Sequence, residues 1–107
     1  MALAKHKHKI LAKMQQGKPV VKLLIRHPME TGNRTDKLTG GKIPRHFIRE
    51  IHCRHNAKRV LTGYWNWGMA LNPYLAFRLK EGKQGDVITI DWVDNRGATE
   101  SIETRIR

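Results

Sequence analysis

The chain has 107 residues, 39% of them hydrophobic and 28% charged, which suits one domain with its own core and excludes a disordered or fibrous chain. Lys and Arg number 21 against nine acids, a net charge of +12, so the expected partner is an anion: nucleic acid, an acidic protein or membrane headgroups. The single cysteine, Cys53, excludes an internal disulfide and leans the chain towards a reducing compartment.

The N-terminus, MALAKHKHKILAKMQQGK, is basic but has no apolar run long enough for a signal peptide, so the chain is not expected to export itself. Residues 1–8 read as a basic arm on a single domain spanning 1–107, with His6 and His8 solvated. A first strand is expected near Lys9 to Met14, although KHKILAKMQQ is equally short enough for a turn or two of helix. After the turn QQGKP comes PVVKLLIRH, in which Val21, Leu23 and Ile25 share a face.

The stretch HPMETGNRTDKLTGGKIP follows, and its first half admits two readings. Either Met29 and Glu30 present a contact surface at the end of the domain, or Thr31-Gly32 turn the chain and Met29 packs inward. FIREIHCRH then alternates, with Ile51 and Cys53 on one face and Glu50, His52 and Arg54 on the other. A strand is expected around Arg59 to Tyr64. Residues 60–77, VLTGYWNWGMALNPYLAF, carry no charge, yet Asn66, Gly68 and the turn at Asn72-Pro73 divide them too often for a membrane span.

YLAFRLK places Leu75, Phe77 and Leu79 together; VITIDW does the same for Ile88, Ile90 and Trp92. DNRG is a hairpin signal, and a last strand is expected near Ala98 to Ile106. About seven short strands between turns predict an all-β sandwich.

This scaffold offers few candidates for chemistry. In HCRH, His52 and Cys53 are neighbours on a strand and face opposite ways, so with His46 as helper too few ligands face one ion for a metal site. Cys53 lies on the apolar face, no glycine elbow surrounds Ser101, and Asp94 reads as a turn-forming residue rather than half of an acid pair with Asp91. No catalytic set and no cofactor is expected. Trp65 and Trp67 share a face if extended and are either core cover or interface anchors, with the interface favoured. They would also suit base stacking, so a small basic nucleic-acid-binding β-protein is the alternative.

Four motifs carry a family resemblance: HPMETG (27–32), KIPRHFI (42–48), LNPYLAF (71–77) and KQGDVITIDWVDNRG (83–97). In this order and spacing they resemble SoxZ, a subunit of the bacterial sulfur-oxidation (Sox) carrier complex, over about Val20 to Arg107. The resemblance implies an immunoglobulin-like antiparallel sandwich without enzymatic activity. It implies a heterodimer with SoxY, whose mobile C-terminal arm carries a cysteine between glycines on which thiosulfate-derived sulfur is processed by other Sox enzymes. This chain ends in SIETRIR, with neither glycine nor cysteine, so Cys53 does not match the carrier thiol. The resemblance further implies a periplasmic protein exported together with a signal-bearing SoxY. With such a partner, the residues themselves make Met29 and Glu30 at the corner and the large aromatics Trp65 and Trp67 the partner-binding candidates, and an isolated chain with its partner surface exposed is open to self-association.

Overall fold

A computed structural model describes residues 8–65 and 73–107. In chain order its strands are β1 (Lys9–Gln15), β2 (Lys18–Leu24), β3 (Ile48–His55), β4 (Lys58–Tyr64), β5 (Tyr74–Arg78), β6 (Val87–Asp94) and β7 (Thr99–Arg105). They form two antiparallel sheets, β1-β2-β5 and β4-β3-β6-β7. Residues 9–14 are therefore strand, not helix, and alternation decides it: Ala12 is fully buried while Leu11 and Lys13 point outward. No helix among the described residues is long and apolar enough to cross a membrane.

The expected faces meet in the core. Val21 and Leu23 of one sheet, with Ile25 just after β2, oppose Ile48, Ile51, Cys53, Ile88, Ile90 and Trp92 of the other, each at most 3% exposed. Burial of each such aliphatic side chain stabilises by roughly 1.5–3 kcal/mol against leaving it in water. At one edge the sheets are tied together: Met14 donates its amide to the Arg107 carbonyl, and Arg107 donates to Ala12. At the other edge β4 and β5 stand apart over a cleft of about 500 Å³, floored by Leu61, Phe77 and Leu79.

One correction concerns histidine. His8 is not solvated: its side chain is 5% exposed, stands edge-on to Trp92 and reaches Glu100 at 3.0 Å, and its Nδ1 accepts the Arg26 amide. His52 lies on the outward face of β3 as expected, yet is only 8% exposed, because Glu50 and Thr62 cover its two ring nitrogens.

The tight turns use left-handed backbone. The β1–β2 connection is Gln16 (φ 52°) and Gly17 (φ 81°), and the β3–β4 connection is Asn56 (φ 49°) and Ala57 (φ 73°), the pattern of type I′ hairpins. Ala57 holds a conformation that its Cβ disfavours. Ala57→Gly is expected to stabilise the fold by about 0.5–1 kcal/mol, read as a higher urea midpoint at unchanged slope.

Gly82 is the opposite case. A Cβ placed there would lie 2.7 Å from the ring of buried Pro19 and 3.3 Å from both His55 and Ile106. Gly82→Ala is expected to cost about 1–3 kcal/mol, visible as a lower guanidinium midpoint, since the ring it meets has no room to retreat.

Candidate functional site

Three of the four motifs converge on one end of the sandwich. HPMETG leaves β2, KIPRHFI enters β3, and DNRG joins β6 to β7; Glu30 and His46 pair as an antiparallel bridge across the gap between sheets. The fourth motif touches the same end, because the Pro73 carbonyl accepts the amide of Ile25, two residues before His27.

The centre of this corner is Asp94. It is 6% exposed, and its two carboxylate oxygens divide the labour. Oδ1 accepts the amides of Arg96 and Ala98 at 2.9 Å, which shapes the turn, while Oδ2 lies 2.8 Å from His46 Nε2 and 3.8 Å from His27 Nε2. The next residue, Asn95, clamps the incoming strand: its Oδ1 accepts the Phe47 amide and its side-chain nitrogen donates to the Arg45 carbonyl. One turn thus fixes the entry to β3.

Burial alone would raise the Asp94 pKa, but the His46 hydrogen bond and the amides of Ala98 and Arg96 outweigh it and hold the carboxyl below its ordinary value. For His27, burial comes first and the neighbouring His46 second; together they outweigh Asp94 and lower the imidazole pKa. The His27 and His46 rings stand edge to face with centroids 4.5 Å apart.

His27, His46 and Asp94 bring three potential metal-ligand atoms within 4.8 Å of one another. The donor set fits a proton clasp better than a cation seat. His27 Nδ1 accepts the Met29 amide at 3.0 Å, so the neutral ring keeps its proton on Nε2, the nitrogen that faces Asp94. A metal on that atom would require the proton to leave a ring whose other nitrogen is already engaged.

Met29 sits directly after this clasp. Its backbone is left-handed (φ 47°), its side chain is 4% exposed, and its sulfur lies 3.5 Å from the Ile48 amide, which donates to it. The structure brings Met29 into the core rather than onto the surface. Glu30 remains half-buried at the corner and forms a two-pronged ion pair with Arg34, which with His46 holds its carboxyl below the ordinary range. Trp65 is partly buried against the core, with its amide bonded to the Arg49 carbonyl. Gly63 beside it is closely packed: a Cβ there would lie 3.1 Å from Ile51 Cγ2 and in ordinary contact with the Trp65 indole nitrogen at 3.5 Å. Trp67 lies outside the described residues.

His27 is absent from the sequence-derived candidates, Asp94 appears there only as a turn former and His46 only as a helper to HCRH. The signal lies in the motifs themselves, three of which each contribute one member of the clasp. Cys53 is 1% exposed, and burial, then Asp91, pushes its thiol up to about 11, so it is a core residue and not a nucleophile.

The chain resembles known proteins at two levels. In fold it is similar to two single-substitution variants of superoxide reductase (neelaredoxin) from Ignicoccus hospitalis. One aligns at TM-score 0.66 and 21% identity, covering 99% of this chain and 82% of that one. The other aligns at 0.65 and 22%, covering 100% and 86%. At such identity the likeness establishes the immunoglobulin-like β architecture alone. No curated protein sequence matches the chain. The family model described as "Sulphur oxidation protein SoxZ" matches residues 9–105, all seven strands and the whole corner. The chain belongs to the SoxZ family of sulfur-oxidation proteins.

Proposed function

We propose that this chain is the non-catalytic half of a Sox sulfur-carrier complex: it binds SoxY and helps present SoxY's cysteine-bearing arm to the enzymes of thiosulfate oxidation. The observation that carries this reading is the family match across residues 9–105, whose distinctive motifs spend their polar residues on building one corner. A clasp of two histidines and one aspartate, with a buried methionine beneath it, is a way to make a rigid surface. Glu30 and Trp65 are candidate partner contacts that this corner leaves partly exposed, beside the more exposed Arg34, Arg45 and Arg96, and Met29 acts from beneath by fixing the loop.

Cys53 is enclosed and its proton firmly held, which agrees with a division of labour that leaves the carrier thiol to SoxY. The place of work is the periplasm, reached folded and already bound to a SoxY that bears the export signal. A sandwich held by its core without a disulfide suits folding before export. The net charge of +12 favours association with an acidic SoxY.

Co-expression with the SoxY of the same organism, followed by size exclusion and intact mass, tests the reading. A one-to-one complex that survives about 0.15 M salt is expected. Failure to form it, with oligonucleotide co-purifying and released steeply by salt, would make the chain a nucleic-acid binder instead.

A further inference from the structure

The two sheets divide the charge unevenly. The strands of the four-stranded sheet hold five acids and five Lys or Arg residues, so it is balanced. Those of the three-stranded sheet hold Lys9, Lys13, Lys18, Lys22 and Arg78, and not one acid. Alternation puts all five cations on its outer face, because Ala12, Pro19, Val21 and Leu23 are the buried set.

The register shows what lies between them. One cross-strand row is Lys9–Leu24–Tyr74, the next is Leu11–Lys22–Ala76, and the third is Lys13–Val20–Arg78. Each row pairs cations with apolar side chains. Tyr74 is 60% exposed and Leu11 36%, and a shallow depression of about 250 Å³ lies between Lys9, Leu11, Lys22, Leu24 and Tyr74. A purely solvated sheet face would carry polar residues of both signs here, as the outer face of the other sheet does with Glu50, Arg54, Asp91 and Glu103.

We propose that the outer face of β1-β2-β5 is the surface on which SoxY docks, through a SoxY face that places apolar side chains among carboxylates; this rests on the carrier reading above. A second copy of this chain is excluded as the occupant by charge, since five cations would face five. The interleaved aliphatic residues argue for a protein surface over a polyanion, which needs cations and stacking rings but not Leu11, Val20 and Leu24. Three strands about 4.8 Å apart and about five residues at about 3.3 Å make a patch near ~10 by ~16 Å, short of the roughly 800 Å² each partner buries in a stable complex. The contact therefore runs past the Lys9–Leu24–Tyr74 row onto the adjoining corner, where Ile25 bonds Pro73 and Arg26 bonds His8.

The test compares variants of equal charge. Lys13→Glu/Lys22→Glu reverses two exposed cations on the face; Lys37→Glu/Lys83→Glu reverses two in loops away from it. Affinity for SoxY is measured by calorimetry at about 0.15 M salt, with circular dichroism confirming the fold. The face variant is expected to bind at least about tenfold more weakly while the loop variant stays within about threefold, and Tyr74→Ala is expected to weaken binding several-fold. Equal losses in both charge variants would mean general steering and overturn the inference. Full affinity in the face variant would place SoxY elsewhere and overturn the inference while leaving the carrier reading intact. No binding by the wild-type chain would overturn the carrier reading and the inference with it. Retention of the wild-type chain, but not the face variant, on anionic vesicles, with SoxY affinity unmoved, would reassign the face to lipid.

Discussion

Asp94→Ala is expected to lower the stability of the chain by about 3 kcal/mol, the largest effect of any single polar change. The substitution removes the acceptor for two turn amides and the carboxylate that faces His46 and His27, all within a residue that is 6% exposed. What remains is a pair of enclosed imidazoles with nothing to balance a proton. Asp94→Asn keeps an oxygen for the Arg96 and Ala98 amides but faces His46 without charge, so its cost is expected to be nearer ~1 kcal/mol. Guanidinium unfolding of both variants checks the difference; equal costs would show that the turn, not the clasp, sets the stability.

The clasp also fixes how stability responds to acid. The Asp94 carboxyl is held below its ordinary value of 3.8 in the folded chain, so the unfolded chain takes up the proton first. Its contribution is present above pH 3.8 and is lost as the pH falls through the folded value. Asp86, held low chiefly by its hydrogen bond from His55, adds to the same window. His27 acts earlier: its pKa lies below 6.5 in the fold, so stability declines as the pH falls from 6.5 to that lower value. Melting temperature against pH is therefore expected to bend twice, and the steeper bend below pH 3.8 is expected to weaken in Asp94→Asn while the His27 bend persists.

The architecture is legible in the sequence because the strands are amphipathic with period two. Val21, Leu23, Ile25, Ile88, Ile90 and Trp92 need only alternation to be placed in the core, and Gly17 and Gly97 mark two of the hairpins. The clasp is not legible, since it joins residues 27, 46 and 94, and contacts between irregular segments leave no periodic trace. Asp94 reads as a turn former, which its Oδ1 bears out; the role of Oδ2 depends on His46, 48 residues away, arriving at the same corner. His8 illustrates the same limit from the other side. In sequence it belongs to the run KHKHK, yet Trp92 and Glu100, distant in the chain, take it out of solvent. Charge segregation between sheets likewise needs the strand order, because β5 joins β1 and β2 only after the chain has passed through β3 and β4 of the other sheet.

Met29→Ala is expected to cost about 2–4 kcal/mol, in the range of large-to-small changes in a core. Two properties set Met29 apart from an ordinary core methionine. Its backbone is left-handed, a conformation that costs a non-glycine residue roughly 1 kcal/mol or more, so the surrounding contacts must over-determine it. They do: His27 takes its amide, Glu30 and His46 pair immediately after it, and its sulfur receives the Ile48 amide at the first residue of β3. Met29→Leu fills the same space without the sulfur and is expected to cost only about 1 kcal/mol, while Met29→Gly relieves the backbone but empties the core. Urea unfolding separates the three. The folded fraction of Met29→Leu is expected to bind SoxY as the wild type does, because the side chain is enclosed and its volume still holds the loop; a loss of affinity without loss of fold would mean that the sulfur's contact with Ile48, and not the volume, sets the position of the Glu30 loop for the partner.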